Sequence, residues 1–468
     1  MGRLRGIVAA LALIVLCCGN GGLAAAQAPT PMVSPDRLPD VPRTLEDPNP
    51  LFYNYSWRSF IALNWPAAIG AANRGQPDRT KAFGDASGPR VWTTWKSRYE
   101  IFQPGGTKPT DWASYEGQNP CGPGFANDVV TLSSFGAFGD FNQADFALSK
   151  LGSPLVAQNQ TYVRYEVRAN EPEFNSIVGK EWYIASKLPT RETFASFNND
   201  STSIKAAWRI LTDKDTPAIR ARYYVVPKAQ VFDVVSGKCT AQDIALVGLH
   251  IVTKTADRPQ WIWSSFEHVD NVPGQTTEPT PPTGVPFSFN DARRPQTLSP
   301  AQQPPAISNS NPPVADPSPM QVVRQRAIDP KAMAMNEAYW NLPEIKGTVW
   351  QNYMLVMTQW PSGSVLPSPD NAGLPEPDGS YTLANTTMET YFQSSRANCM
   401  GCHQLSNREG RDFVMFVNVD AFRPAVSAPS EPIASQLNGP KFPRAGLPLS
   451  ADPVVKALID LFDAPDKN

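Results

Sequence analysis

From Thr161 to Val269 the chain alternates between apolar and polar positions with a period of two. Tyr162 to Arg168, Ser203 to Ile210 and Arg220 to Val226 carry the pattern, and Ile244 to Lys254 and Gln260 to His268 complete it. Rich in β-branched and aromatic residues and separated by turn-forming residues, these runs predict strands of a sandwich-like or mixed sheet. The last two runs flank a turn, Ala256-Asp257-Arg258-Pro259. If they pair symmetrically about it, His250 faces His268 on one side of the sheet. Trp261 and Trp263 then point to the opposite face, with Leu249 and Ile251.

Outside this region the period lengthens or disappears. Leu51 to Trp65, with Phe52, Trp57, Phe60, Ile61 and Leu63, suits an amphipathic helix that ends before Pro66. Trp92, Trp95 and Tyr99 to Phe102 predict a short helix or strand, and 104–127 a loop rich in Gly, Pro and Asn. Residues 271–319 are crowded with proline and predict an extended segment that wraps the surface or links domains. Pro319 to Ile328 and Pro330 to Trp340 each follow Ser or Asp and predict helices, and Thr348 to Trp360 a strand. Thr386 and Glu389 form a capping-box pattern that predicts a helix from Met388 to Gln393. Phe413 to Val419 predicts a strand, and Asp452-Pro453 opens a final helix through Leu461.

The expected organisation is a leader at 1–26, a Pro-rich arm at 27–50 and a β-rich domain with short helices at 51–270. The extended segment 271–319, a helix-helix-strand region at 320–384 and a C-terminal region at 385–468 follow. The fold class expected is α+β, a β-rich main portion with a mostly helical C-terminal region. Proline, 48 of 468 residues, is about twice its usual share and favours loops and strands over long helices. The net charge of −2, with no basic stripe or polybasic tail, argues against nucleic acid and anionic membrane as partners.

The N-terminus sets the compartment. Arg3 and Arg5 precede an apolar run from Ile7 to Cys18 and a small-residue stretch around Ala24 to Ala28. This is the pattern of a secretory signal peptide, with cleavage expected after Ala26, and the run is too short to span a bilayer. Leu16 before Cys17 does not suit a lipoprotein site. No other stretch of 18 apolar residues occurs, so no transmembrane segment is expected after cleavage, and a periplasmic or secreted location is expected. Of six cysteines, Cys17 and Cys18 leave with the leader. Cys121 and Cys239 remain as an even pair in an oxidising compartment, and a disulfide between them is expected.

The remaining two cysteines lie in Cys399-Met400-Gly401-Cys402-His403, a C-x-x-C-H sequence. This is the attachment signature for c-type haem. Two thiols add across the vinyl groups as thioethers, and the adjacent imidazole becomes the proximal iron ligand. Zinc would need a fourth ligand that no nearby Cys or His supplies. A redox dithiol lacks its βαβ setting, and a Cys399–Cys402 disulfide leaves His403 without a role. For the other side of the iron the candidates are His268, His250 and Met415.

The motif resembles that of monohaem cytochrome c domains, and the whole chain looks like a large exported cytochrome-c-like protein, with Trp57 to Pro66 and Trp261 to Pro273 as further familiar segments. The resemblance implies one covalent haem c and carries over only Cys399, Cys402 and His403. It covers 385–468. The segment after the motif departs from the family pattern, with a β-like run in place of a Met-containing loop. The function expected is one-electron transfer with a periplasmic redox partner. The alternative is a haem enzyme, peroxidase- or oxygenase-like, or a haem-based sensor with an open iron site; Glu267 joins the two histidines as a candidate acid or base.

Overall fold

The computed structural model describes residues 30–41, 48–119, 121–123, 130–132, 154–233, 236, 238–274, 278–296, 314–371, 375–376, 384–390, 393 and 399–423. Its centre is a nine-stranded mixed sheet. The strands are β1 (Lys96–Ser97), β4 (Thr131–Leu132), β5 (Arg164–Ala169), β6 (Thr202–Ile210), β7 (Val225–Asp233), β8 (Lys238–Thr253), β9 (Ile262–His268), β10 (Tyr353–Pro361) and β11 (Pro375–Glu376). The order is β1-β5-β6-β8-β9-β10-β11, with β7 also on β8 and β4 on β7. Only β4 and β7 run parallel. β2 (Gln118–Asn119) and β3 (Gly122–Pro123) form a separate two-stranded ribbon. The 16-residue β8 organises the sheet: β6 pairs with 244–253 on one edge, while β9 and β7 lie end to end along the other. The expected α+β class with a β-rich main portion and a mixed sheet is therefore observed.

One face of the sheet is covered by α1 (Asn49–Leu63) and α5 (Pro330–Trp340). α1 is buried nearly all round, with Phe52, Tyr55, Trp57, Phe60 and Ile61 almost inaccessible, as expected of a helix enclosed by core rather than lying on a surface. Trp57 stacks on Tyr339 at 4.9 Å and meets the edge of Phe266 at 5.3 Å. Buried Asn336 accepts from Trp57 Nε1 (2.9 Å) and Leu355 N (2.8 Å) and donates to the Leu355 carbonyl (3.0 Å). One amide thus ties two helices to β10 with its polar atoms satisfied. Asp329 caps α5 through Lys331 N, ahead of the expected Pro330.

The opposite face carries α2 (Arg98–Ile101), α3 (Glu171–Gly179), α6 (Cys399–Arg408) and α7 (Phe416–Asp420), and α4 (Pro217–Arg220) precedes β7. Ile101, Phe174, Ile177, Trp261, Trp263, Met400, Phe413 and Val417 form the apolar cluster beneath them. The expected disulfide joins Cys121, beside β3, to Cys239 on β8. The described part of 271–319 has no regular elements and packs against the sheet through Val272, Phe289 and Ser288.

Several expectations require correction, among them the strand expected from Thr348, which opens as a 3-10 turn (Val349–Asn352) and becomes β10 only at Tyr353. Residues 319–328 are irregular, not helical. Asp316-Pro317-Ser318-Pro319 holds the residues before each proline out of the α region, and Met320 N and Val322 N then bond Val156 O and Phe289 O instead of a helical turn. Residues 416–420 are the helix α7, not a strand. Among the described residues they pair with no strand, and Val417 fills the cluster under α6. In the 220–226 run, Arg220 closes α4 and β7 starts only at Val225. The Thr386/Glu389 box is displaced by one: Asn385 accepts from Thr387 N (3.0 Å), and Glu389 reaches back to Asn385 N (2.9 Å). Thr386 instead donates to buried Glu267 (2.8 Å), and 384–390 is a hydrogen-bonded turn. The final helix at 452–461 lies outside the described residues.

A buried acid on this face gives a pH signature. Glu173 on α3 accepts from Ser203 Oγ at 2.6 Å, and its other oxygen has no partner among the described residues. Burial raises its pKa from 4.5 to about 8. In the folded chain it keeps its proton while the unfolded chain has lost it. Its contribution to stability is present below pH 4.5 and is lost as pH rises through 8. Glu173→Gln, which cannot ionise, is therefore expected to gain stability relative to the parent by more than about 1 kcal/mol between pH 5 and pH 8. A difference in unfolding free energy that stays constant across that range would reject the assignment.

Candidate haem-attachment site

Cys399, Cys402 and His403 occupy positions i, i+3 and i+4 at the start of α6, and that spacing puts all three side chains on one helix face. Neither Cys399 nor Cys402 is in a disulfide. The opposite face of α6 anchors it. Met400 is buried and its N–H donates to Gln359 Oε1 on β10 (2.8 Å), Ser406 Oγ donates to Val414 O (2.7 Å), and Asn407 donates to Ser368 O (2.7 Å).

The helix ends in a Schellman turn. Gly410 N donates to Asn407 O (2.9 Å) and Arg411 N to Ser406 O (3.0 Å), with Gly410 at φ 90°. A Cβ on Gly410 would lie 2.0 Å from Thr190 O, so no other residue fits. The chain then runs back along α6 through Asp412 and Phe413, both left-handed (φ 46° and 66°). Such conformations cost about 1–3 kcal/mol each and persist where surroundings impose them. Buried Asp412 supplies that constraint. It accepts from Phe197 N and Ser196 Oγ, both at 2.8 Å, and pairs with Lys254 at 3.0 Å, while Trp261 Nε1 donates to its carbonyl at 3.0 Å. The product of this turn is the position of one carbonyl: His403 Nδ1–H donates to Phe413 O at 2.8 Å. That bond fixes the tautomer and leaves the lone pair on Nε2. Burial, reinforced by the Lys205 cation, lowers the His403 pKa to about 4, so the ring is neutral.

Across from the helix, β6 and β8 present Lys205 and His250, which are register partners, and β9 presents Ser265 and Trp263 beside them. The Trp263 and His403 rings lie 4.6 Å apart. Glu389, from the 384–390 turn, comes within 3.7 Å of His250 Nε2. The turn seats there because position 248 is glycine: a Cβ would lie 2.2 Å from Thr387 Oγ1. Burial lowers Lys205 to about 8 against the pull of Glu389, and raises Glu389 to about 7. It lowers His250 to about 3, with Lys205 and His403 adding to the effect, and raises the Cys399 thiol. These side chains are deep enough for burial to dominate their protonation. Yet Lys205, His250, Glu389, Cys399, Cys402 and His403 all keep part of their surface accessible. Among the described residues, no group of three or more His, Cys, Asp or Glu is arranged to hold a metal ion by itself.

The histidines do not face one another as a symmetric hairpin would require. Thr253 pairs with Ile262, so His250 stands opposite Ser265 and Gly248 opposite Glu267. The intervening loop is longer and less regular than expected, with Lys254 buried against Asp412 and Trp261 at φ 72°. The register therefore shifts by an odd number, which exchanges the faces. Trp263 shares the His250 face, while Leu249 and Ile251 belong to the core under α1. His268 lies apart from the motif, stacked on Tyr223 at 3.8 Å. Its Nε2 donates to Arg222 O (3.0 Å) and its Nδ1 accepts from Asp270 N (3.1 Å), so both nitrogens are engaged. Met415, the N-cap residue of α7, follows the carbonyl that binds His403 Nδ1, on the chain segment behind the imidazole. Lys205, Glu389, Trp263 and Asp412 are the site residues that the period-two and motif patterns did not single out. Against models of protein families, against curated proteins and against solved structures, the chain matches nothing.

Proposed function

We propose that this chain is an exported c-type haem protein that transfers single electrons to or from a periplasmic redox partner. The observation that carries this reading is the His403 imidazole, held neutral with Nδ1–H on Phe413 O and Nε2 left as a lone pair. An iron-ligating histidine needs that arrangement, in which the outer hydrogen bond fixes the tautomer and orients the ring. The donor set fits the group. Two thiols outside any disulfide stand at i and i+3 beside the imidazole on one helix face, next to Trp263 and the partly accessible sheet residues. Cys399 and Cys402 would hold the porphyrin and His403 the iron, which supplies a one-electron ferrous/ferric couple when bound. The chain's own part is to hold the ring rigid through Asp412 and Gly410 and to shield the site with Trp263, Met400 and Phe413. Export is supported by the N-terminal residues and by the Cys121–Cys239 disulfide, which an oxidising compartment preserves.

A second reading, a haem enzyme or sensor with an open iron site, is favoured by one observation. Lys205, His250 and Glu389 form a cluster of displaced pKa values beside the motif, as acid–base sites do. The full chain produced in a host with cytochrome c maturation machinery tests the shared premise. Colour is expected to stay with the polypeptide through acid-acetone extraction and denaturing electrophoresis. Colourless protein, or colour that is fully extracted, would overturn it. A spectrum indifferent to carbon monoxide and peroxide then selects the carrier.

A further inference from the structure

We propose that His250 Nε2 is the second axial ligand of the iron, so that the cofactor joins α6 to the central strand of the sheet. This rests on the haem reading above. His250 Nε2 is buried and has no hydrogen-bond partner among the described residues, with Glu389 Oε2 at 3.7 Å, beyond hydrogen-bond reach. An unpaired buried polar atom costs about 1–3 kcal/mol and calls for a reason. A metal bond is the partner that an imidazole lone pair suits best.

The placement agrees. His250 lies in the middle of the paired part of β8, between Lys205 on β6 and Ser265 on β9, so its backbone is fixed on both edges. It stands on the face that α6 covers, near enough to His403 for that ring's charge to act on it. A rigid strand and a pinned helix supply the two sides of a preorganised ligand pair. The alternatives are placed elsewhere. Both His268 nitrogens are committed to backbone groups, and Met415 follows the segment behind His403. The inference also gives the large sheet a role that a lone haem would not need: it supplies half of the iron's protein ligands.

The test uses full-length protein matured with covalent haem. The parent is expected to be six-coordinate and low-spin in both oxidation states, with a bis-imidazole electron paramagnetic resonance signal and no carbon monoxide complex. His250→Ala is expected to keep the covalent haem, become high-spin in the ferric form and bind carbon monoxide, and return to low spin on adding free imidazole. His250→Gln, which preserves bulk and polarity, should show the same loss and serves if the alanine variant does not fold. A low-spin spectrum that persists in the variants would overturn the ligand assignment. So would a high-spin parent, or a sulfur-to-iron charge-transfer band in it. Any of these leaves covalent haem intact, whereas a parent without covalent haem fails the reading beneath.

Discussion

Arg324→Met is expected to lower unfolding stability by about 3–5 kcal/mol. Arg324 lies in the irregular segment before α5, almost fully buried, and its guanidinium pairs with Glu267 on β9 and with Glu278 at 2.7 Å. Both carboxylates are buried as well, and each holds other groups. Glu267 accepts from Thr386 N (2.9 Å) and Thr386 Oγ1 (2.8 Å), and Glu278 from Ile328 N (3.3 Å). Methionine fills much of the volume but takes the Arg324 charge away from two carboxylates held out of water, which is the costly way to break a buried pair. The loss reaches the site, because Thr386 lies in the 384–390 turn that brings Glu389 to His250. A denaturant midpoint lowered at unchanged slope is the readout. A change under about 1 kcal/mol would show that the network contributes little.

Removing the Cys121–Cys239 bridge is expected to cost a similar amount. The two cysteines are 118 residues apart in sequence. Closing a loop of that length restrains the unfolded chain by about 4–5 kcal/mol in the chain-entropy view. The bridge fastens the β2–β3 ribbon to the N-terminal half of β8, beyond the part that β6 and β9 pair. Cys121→Ser combined with Cys239→Ser should unfold at the same denaturant concentration as the parent under reductant. Equal midpoints for oxidised parent and double variant would show that the crosslink does not stabilise the fold.

Local chemistry was read well from local sequence. The aromatic run that becomes α1, the Asp329-Pro330 start of α5 and the alternation at 203–210 all lie in elements found where they were expected. Ser318-Pro319 was read as a helix start, yet Met320 N and Val322 N bond Val156 O and Phe289 O and no helix forms there. Lys205 carried no signal: a lysine at a polar position of an alternating strand looks like a residue facing water. Its burial depends on α6, which arrives from nearly two hundred residues later in the chain. Glu389 was legible as a capping residue and does reach back to a turn, one residue from the expected place.

The sequence by itself determined the α+β class, the disulfide pair and the one helix face that carries Cys399, Cys402 and His403, because spacing along a helix and the pairing of rare residues are local facts. Tertiary structure alone decided which groups meet that face. The odd register of β8 against β9 turned His250 and Trp263 towards the motif and set His268 apart. The left-handed turn at Asp412 and Phe413 delivered the carbonyl that sets the His403 tautomer. Both depend on contacts between residues far apart in the chain, and a one-residue change of register or a single backbone reversal, neither visible in a periodic pattern, changes which atoms face one another.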